Sequence, residues 1–197
     1  MTDNLSHKPS VAIFMVTYNH EKYIRQAVRS IVSQKTNFPY MLFIGEDCST
    51  DNTRAICIEL QQKYPEKISV NFMFNDQLSH KIYAASDFFF MPSRYEPCGL
   101  GQLISMSYGT LPIVRGTGGL EDTVHEIDID VNTTGNGFKF YDQTKELFIE
   151  KTEKALTLYN NKEIMLKAVK NAMTGDYSWK VSAEKYLKLY EKVYRNI

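Results

Sequence analysis

No excess charge of either sign is present: 23 Lys and Arg stand against 23 Asp and Glu. The electrostatic footprint that nucleic acid or an anionic membrane surface requires is therefore missing. No apolar run approaches the roughly 20 residues needed to cross a bilayer as a helix, so no membrane span is expected. The first ten residues are polar, and no signal peptide is expected from them. Cysteine is scarce. Cys48, Cys57 and Cys98 have no metal-binding spacing, and their odd number leaves one unpaired in any disulfide scheme. Reduced thiols and a cytoplasmic location are the expectation. The ten glycines and six prolines are too dispersed to form a linker, and neither an internal repeat nor a low-complexity tract occurs. The 197 residues suffice for one compact soluble domain with its own core.

What is present is an alternation of strand and helix signals. Val11 to Val16 is a continuous apolar strand, and Asn19 can cap the helix that follows. That helix is expected to bury Tyr23, Ile24, Ala27, Val28, Ile31 and Val32, which recur at steps of three and four. Tyr40 to Ile44 is a second strand. Ser49, Thr50 or Asp51 can cap a second helix, with Ile56, Leu60 and Tyr64 on one face. Ile68 to Phe74 is a third strand. Then come a short helix near Ile82, strands at Phe88 to Met91, Leu111 to Val114 and Gly137 to Phe140, and helices over Thr144 to Tyr159, Glu163 to Met173 and Ser182 to Tyr194. The last is expected to bury Ala183, Tyr186, Leu187, Tyr190, Val193 and Tyr194.

The run from Pro92 to Gln102 carries the most chemistry. It joins a buried strand to a helix on which Leu100, Leu103, Ile104 and Ser107 share a face, ended by Gly109. A glycine-containing turn at such a helix start offers free N–H groups and a positive dipole to an anion. Glu96 lies in the same turn, where a carboxylate can hydrogen-bond a neutral polyol. Phosphate beside a sugar-binding carboxylate is the pairing that a nucleotide-sugar enzyme needs. A lone pair of glycines would be a plain connection; the full run is more specific.

Residues 75 to 197 resemble the donor-binding half of bacterial glycogen and starch synthases. The resemblance rests on Asp87 to Gln102, Tyr108 to Arg115, Thr117 to Val124, Gly135 to Phe138, and Tyr177-Ser178-Trp179. It implies a retaining glucosyl transfer from ADP-glucose to a glucan or glycan acceptor, with no metal required. By position, Glu96 takes the catalytic place, Cys98 and Gly99 line the glucose, and the N–H groups of Leu100 and Gly101 face the diphosphate.

Residues 1 to 74 are similar instead to the opening of the inverting, GT-A-type glycosyltransferases. Val11 to Ile24 and Phe43 to Thr53 carry that likeness, with Val16 at the usual proline. It implies that Asp47 holds the uracil of a UDP-sugar and that Thr17 and Tyr18 contact the nucleoside. The metal-holding Asp-x-Asp of that family lies beyond the matched segment, so Mg²⁺ or Mn²⁺ enters only if this half directs the chemistry. Asp128-Ile129-Asp130 has the spelling of that motif but falls in a loop of the other resemblance, where solvated acids are the plainer reading. None of His7, His20, His80 or His125 belongs to a triad or ligand pair.

The chain thus reads as a hybrid joined between Asn71 and His80. The expected fold is α/β: one Rossmann-like, doubly wound parallel sheet of about six strands with C-terminal helices, a single domain over 1–197. In such a sheet, strands one and four meet at the switch point where ligands bind, which would gather Thr17, Tyr18, Asp47 and Glu96 at one crevice. The acceptor domain and the Arg/Lys segment of the resembled synthases are absent. Arg94 and Arg115 are the nearest substitutes for neutralising the leaving group, and structural roles weigh equally for both. Three readings follow: a glycosyltransferase, a nucleotide-sugar binding module without turnover, and a recombined α/β scaffold. Self-association through the tyrosine-rich last helix is expected of any of them.

Overall fold

A computed structural model describes residues 10–73, 75–129 and 134–195. Two compact units divide within one helix, at Leu78 and Ser79, close to the expected join.

In the first unit, β1 (Val11–Thr17), β2 (Tyr40–Glu46) and β3 (Ile68–Asn71) form a parallel sheet in that order, with α1 (Ile24–Val32) and α2 (Thr53–Lys63) between them. Parallel pairing sets Val11 opposite Tyr40 and Leu42 opposite Ile68. Ile24, Val28 and Val32 on α1 close over Leu42, Ile44, Cys57, Leu60 and Ile68, the four-residue step placing them on one stripe. Ile56 and Tyr64 flank that core as expected. Tyr23, expected inside, is 66% exposed because it precedes the first helical turn. Asn19 does not cap α1: it sits in the left-handed region (φ 52°) and serves the neighbouring loop. Asn52, not Ser49, Thr50 or Asp51, stands at the start of α2 and makes no side-chain cap; Asp51 braces the turn just before it, its Oδ1 accepting the Thr53 N–H at 2.9 Å.

The second unit begins within α3 (Asp76–Ala85) and continues through β4 (Phe88–Met91), α4 (Gly101–Ser107), β5 (Leu111–Arg115), α5 (Gly119–Thr123) and β6 (Phe138–Phe140). It ends in α6 (Lys145–Asn160), α7 (Lys162–Thr174) and α8 (Trp179–Tyr194). Its parallel sheet has β5 in the centre, between β4 and β6. Leu111, Ile113 and Phe138 pack on Met106, Ala155, Leu158, Ala168 and Ala172. Thr144 and Asn161 cap α6 and α7 through their side-chain oxygens. The short α5 was not signalled by periodicity.

The α/β class, the six strands, their parallel pairing and the C-terminal helices agree with expectation. Two points differ. The strands make two three-stranded sheets rather than one of six, and among the described residues no ladder joins them. A continuous apolar strand needs cover on both faces. β1 is instead an edge strand whose Ile13 and Met15 pack on the core while Phe14 and Val16 stay 42% and 70% exposed. Helix α8 buries none of the six residues expected to be inside. Its amphipathic period is real, but a period defines a face and not what covers it.

Candidate functional site

The candidate residues lie in two loop clusters, one in each unit. Thr17 ends β1, is buried, and accepts the Asp47 N–H on its carbonyl at 3.0 Å. Its hydroxyl meets His20 Nδ1 at 3.1 Å. The loops after β1 and β2 are then stapled together. Asn19 N–H donates to Ser49 Oγ at 3.0 Å and His20 N–H to Thr53 Oγ1 at 2.7 Å. Thr50 N–H donates to Asn19 Oδ1 at 2.8 Å, and Glu21 Oε2 accepts from the Asn52 backbone at 3.0 Å. Burial opposes ionisation of Asp51, but the Thr53 hydroxyl and the N–H groups of Thr53 and Glu21 outweigh it and hold that carboxyl below its usual range. Glu46 is fully buried; Oε1 accepts the Ser49 N–H at 2.6 Å, while Oε2 has no partner among the described residues.

What this cluster leaves available is Tyr18, half exposed, and the part-buried Asp47, whose carboxylate has no hydrogen bond or ion pair among the described residues. A carboxylate in that state can accept from the N–H donors of a base. Sequence spacing does not reveal these staples: Asn19, Ser49, Thr50 and Asp51 have the residue types of helix caps, and only the fold brings the two loops together. Cys57, below this loop, is an inert core thiol, pushed up to about 11 by burial and by the Glu46 charge.

In the second unit the residues after β4 form a turn held from two sides. Gly99 has φ 73°, a conformation that favours glycine. On one side lies Gln102, fully buried, whose Nε2 donates to Gly99 O at 2.9 Å, Cys98 O at 3.3 Å and Thr123 Oγ1 at 3.2 Å. On the other side Gly119 N–H donates to Glu96 O at 3.2 Å. A Cβ on Gly118 or Gly119 would collide with the carbonyls of Glu96 and Cys98 respectively. At Gly101 a Cβ would stand 3.0 Å from the Phe89 ring.

The turn presents a part-buried Glu96 carboxylate without a partner among the described residues, and an exposed Cys98 thiol. The N–H groups of Gly99 and Leu100 donate to no protein acceptor among the described residues. Leu100, expected on the buried face of α4, is 66% exposed. The buried stripe of that helix is Gln102, Ser105 and Met106, and hydrophobic spacing cannot flag the two polar members. Gly109 ends the helix as expected, at φ 82° with Thr110 N–H reaching back to Ser105 O at 2.9 Å. With seven residues, α4 carries little macrodipole, so the turn's own N–H groups are what an anion would meet.

Of the two arginines, Arg115 is committed to structure: Nε donates to Tyr141 O at 2.8 Å and Nη1 to Arg94 O at 2.6 Å. The exposed Arg94 guanidinium has no partner among the described residues. Lys139 is held by Glu121 at 3.0 Å. Asp130 lies outside the described residues, and among those described no group of three His, Cys, Asp or Glu is arranged to hold a metal ion. Tyr177 OH donates to Thr123 O at 3.1 Å and accepts from Asn136 Nδ2 at 3.2 Å, tying the chain before α8 to the end of α5. Trp179 is 85% exposed. Among the described residues no helix is long and apolar enough to cross a membrane.

Residues 12–86 match the model of Glycosyl transferase family 2. The chain is 51% identical over 170 residues to a glycogen synthase of Kosmotoga olearia, covering 86% of this chain and 34% of that protein. It is 52% identical over 133 residues to a glycogen synthase of Thermosipho melanesiensis, covering 67% and 27%. The chain thus spans between about a quarter and a third of the length of the curated relatives it matches. The first alignment is longer than the segment 75–197, so the likeness does not stop at the expected join. The catalytic domain of starch synthase IV from Arabidopsis thaliana, bound to ADP and acarbose, superposes with a TM-score of 0.67 at 31% identity, covering 98% of this chain and 40% of that one. A sucrose-phosphate synthase from Thermosynechococcus elongatus, at 18% identity and a TM-score of 0.59, covering 96% and 47%, shares the fold. The proteins to which this chain is similar, in its sequence and in its Rossmann-like fold, are glycosyltransferases.

Proposed function

We propose that this chain binds a nucleotide-activated hexose, ADP-glucose or a UDP-sugar, and supports glucosyl transfer to a glucan or other glycan. One observation carries the reading. The turn at Gly99 and Leu100 offers two N–H groups without protein partners among the described residues, beside the Glu96 carboxylate, in a stretch similar to glycogen synthases. Successive N–H groups in a turn make a concavity suited to phosphate oxygens.

In this reading Glu96 hydrogen-bonds hexose hydroxyls, and Cys98 and Gly99 line the sugar. The N–H groups of Gly99, Leu100 and Gly101 face the diphosphate. When the bond to the sugar breaks, negative charge grows on the departing phosphate. Donors already in place stabilise that charge without reorganising, and Arg94, whose guanidinium has no partner among the described residues, is a cation that can add to them. No metal is needed for this step; Mg²⁺ or Mn²⁺ enters only if the first unit directs the chemistry. Asp47, with Thr17 and Tyr18, is the place for a uracil nucleoside. The protein is assigned to a reducing cytoplasm, where its three free thiols persist.

A second reading, binding without turnover, draws on Arg115 being spent on carbonyls. Calorimetric titration with ADP and UDP tests binding, and transfer of labelled glucose from ADP-glucose or UDP-glucose onto glycogen tests turnover. Heat with a nucleotide but no transfer favours the binding module. Absence of heat with both nucleotides refutes the proposal.

A further inference from the structure

We infer that Gln102 is a positioning residue, the buried amide that turns the N–H groups of Gly99 and Leu100 towards the donor diphosphate. The inference rests on the reading of this turn as the donor site.

Gln102 has no exposed surface, which is unusual for its residue type. Its Nε2 is shared among the carbonyls of Cys98 and Gly99 and the hydroxyl of Thr123. The orientation of the amide is settled by chemistry: two carbonyl oxygens demand a donor, so Nε2 takes them and Oε1 lies on the other branch, packed beside Gly99. There it is buried without a partner. Leaving that acceptor unmade is costly, and the three bonds made by the other branch of the same amide offset it.

The consequence for the turn follows from peptide geometry. No peptide bond among the described residues is cis, and in a planar trans peptide the N–H points opposite to the C=O. Drawing the Cys98 and Gly99 carbonyls in towards Gln102 therefore directs the N–H groups of Gly99 and Leu100 away from it. Those are the two N–H groups without acceptors among the described residues. Thr123 extends the brace, since its hydroxyl accepts from Gln102 and donates to Gly119 O at 2.7 Å. Gly119 in turn donates to Glu96 O. One amide thus sets both the phosphate-facing and the sugar-facing parts of the loop.

The test uses the full chain with Gln102→Met, similar in length but without a donor, and Gln102→Glu, whose carboxyl donates only when protonated. ADP affinity is measured by calorimetry, and the backbone amides of Gly99 and Leu100 are followed by NMR. The expected result is a loss of about tenfold or more in ADP affinity for both variants at neutral pH. Gly99 and Leu100 resonances shift, while β5 and β6 keep theirs. As the pH falls, Gln102→Glu regains affinity relative to Gln102→Met, a recovery that a purely space-filling role would not produce. Unchanged ADP affinity in Gln102→Met overturns the inference. If the wild-type chain binds no ADP, the donor-site reading falls by itself. The amides then still decide: resonances that stay in place in Gln102→Met overturn the positioning role, and displaced ones sustain it.

Discussion

Gly119 donates its backbone N–H to the carbonyl of Glu96 at 3.2 Å, and neither Gly118 nor Gly119 has room for a Cβ against that loop. The carboxylate that would meet the sugar is therefore carried on a backbone seated directly on another backbone. Gly118 also has φ 50°, so a side chain there is strained as well as crowded.

Gly118→Ala should accordingly destabilise the second unit by about 1–3 kcal/mol. Amide hydrogen exchange checks this. Protection of the Gly119 N–H should fall, while amides of the first unit, which has its own core, keep theirs. Undiminished protection at Gly119 would show that the Glu96 loop is held in some other way.

The stapled loops of the first unit predict a pH dependence. The Asp51 carboxyl is held below its ordinary value of 3.8 by bonds from Thr53 and Glu21, although burial works against it. A depressed carboxyl contributes stability that is present above its unfolded value and lost as pH falls through its folded value. Asp51→Asn should therefore lower the thermal midpoint at pH 7, and the gap from wild type should close as pH falls below about 3.8. A gap that is constant with pH would mean the bonds do not depend on the charge.

Thiol reactivity should divide the three cysteines. Cys48 and Cys98 are exposed, whereas Cys57 is buried and pushed up to about 11. Because the thiolate is the reacting form, brief alkylation at pH 8 should label the first two and spare the third until the chain is unfolded. Mass spectrometry of the peptides reads this directly. Labelling of Cys57 in the native chain would contradict the packing of α1, α2 and β2.

Helix α8 carries Tyr186, Leu187, Tyr190 and Tyr194 at 57%, 60%, 65% and 82% exposure. Their spacing makes one stripe, and contiguous exposed apolar patches commonly mark association sites. Light scattering should show a mass that rises with concentration, and Leu187→Glu combined with Tyr190→Glu should return it to the monomer. A monomer at high concentration in the wild type would rule self-association out.

The fold was legible where a residue's role depends on its own spacing. Ile24, Val28 and Val32 declared the buried face of α1, and Gly109 declared the end of α4. It was illegible where the role depends on a partner distant in sequence. Nothing local distinguishes Asn19 from a helix cap, because its partners are Ser49 and Thr50, and the third partner that holds Gln102 inside, Thr123, lies 21 residues on. The same holds for β1, whose two apolar faces announce a central strand while only one of them meets a core. At the candidate site, Glu96 and the 99–101 turn could be found from residue type and order. That Arg115 is spent on carbonyls and Arg94 is not could only come from coordinates.

The most direct measurement is a paired calorimetric titration of wild type and Glu96→Ala with ADP and with ADP-glucose. If the Gly99–Leu100 turn holds the diphosphate and Glu96 holds the hexose, the variant should keep its ADP affinity within about twofold and lose about tenfold for ADP-glucose, the change expected when one charge-assisted hydrogen bond is removed. Equal weakening of both ligands, or no heat from either with the wild-type chain, would contradict the assignment.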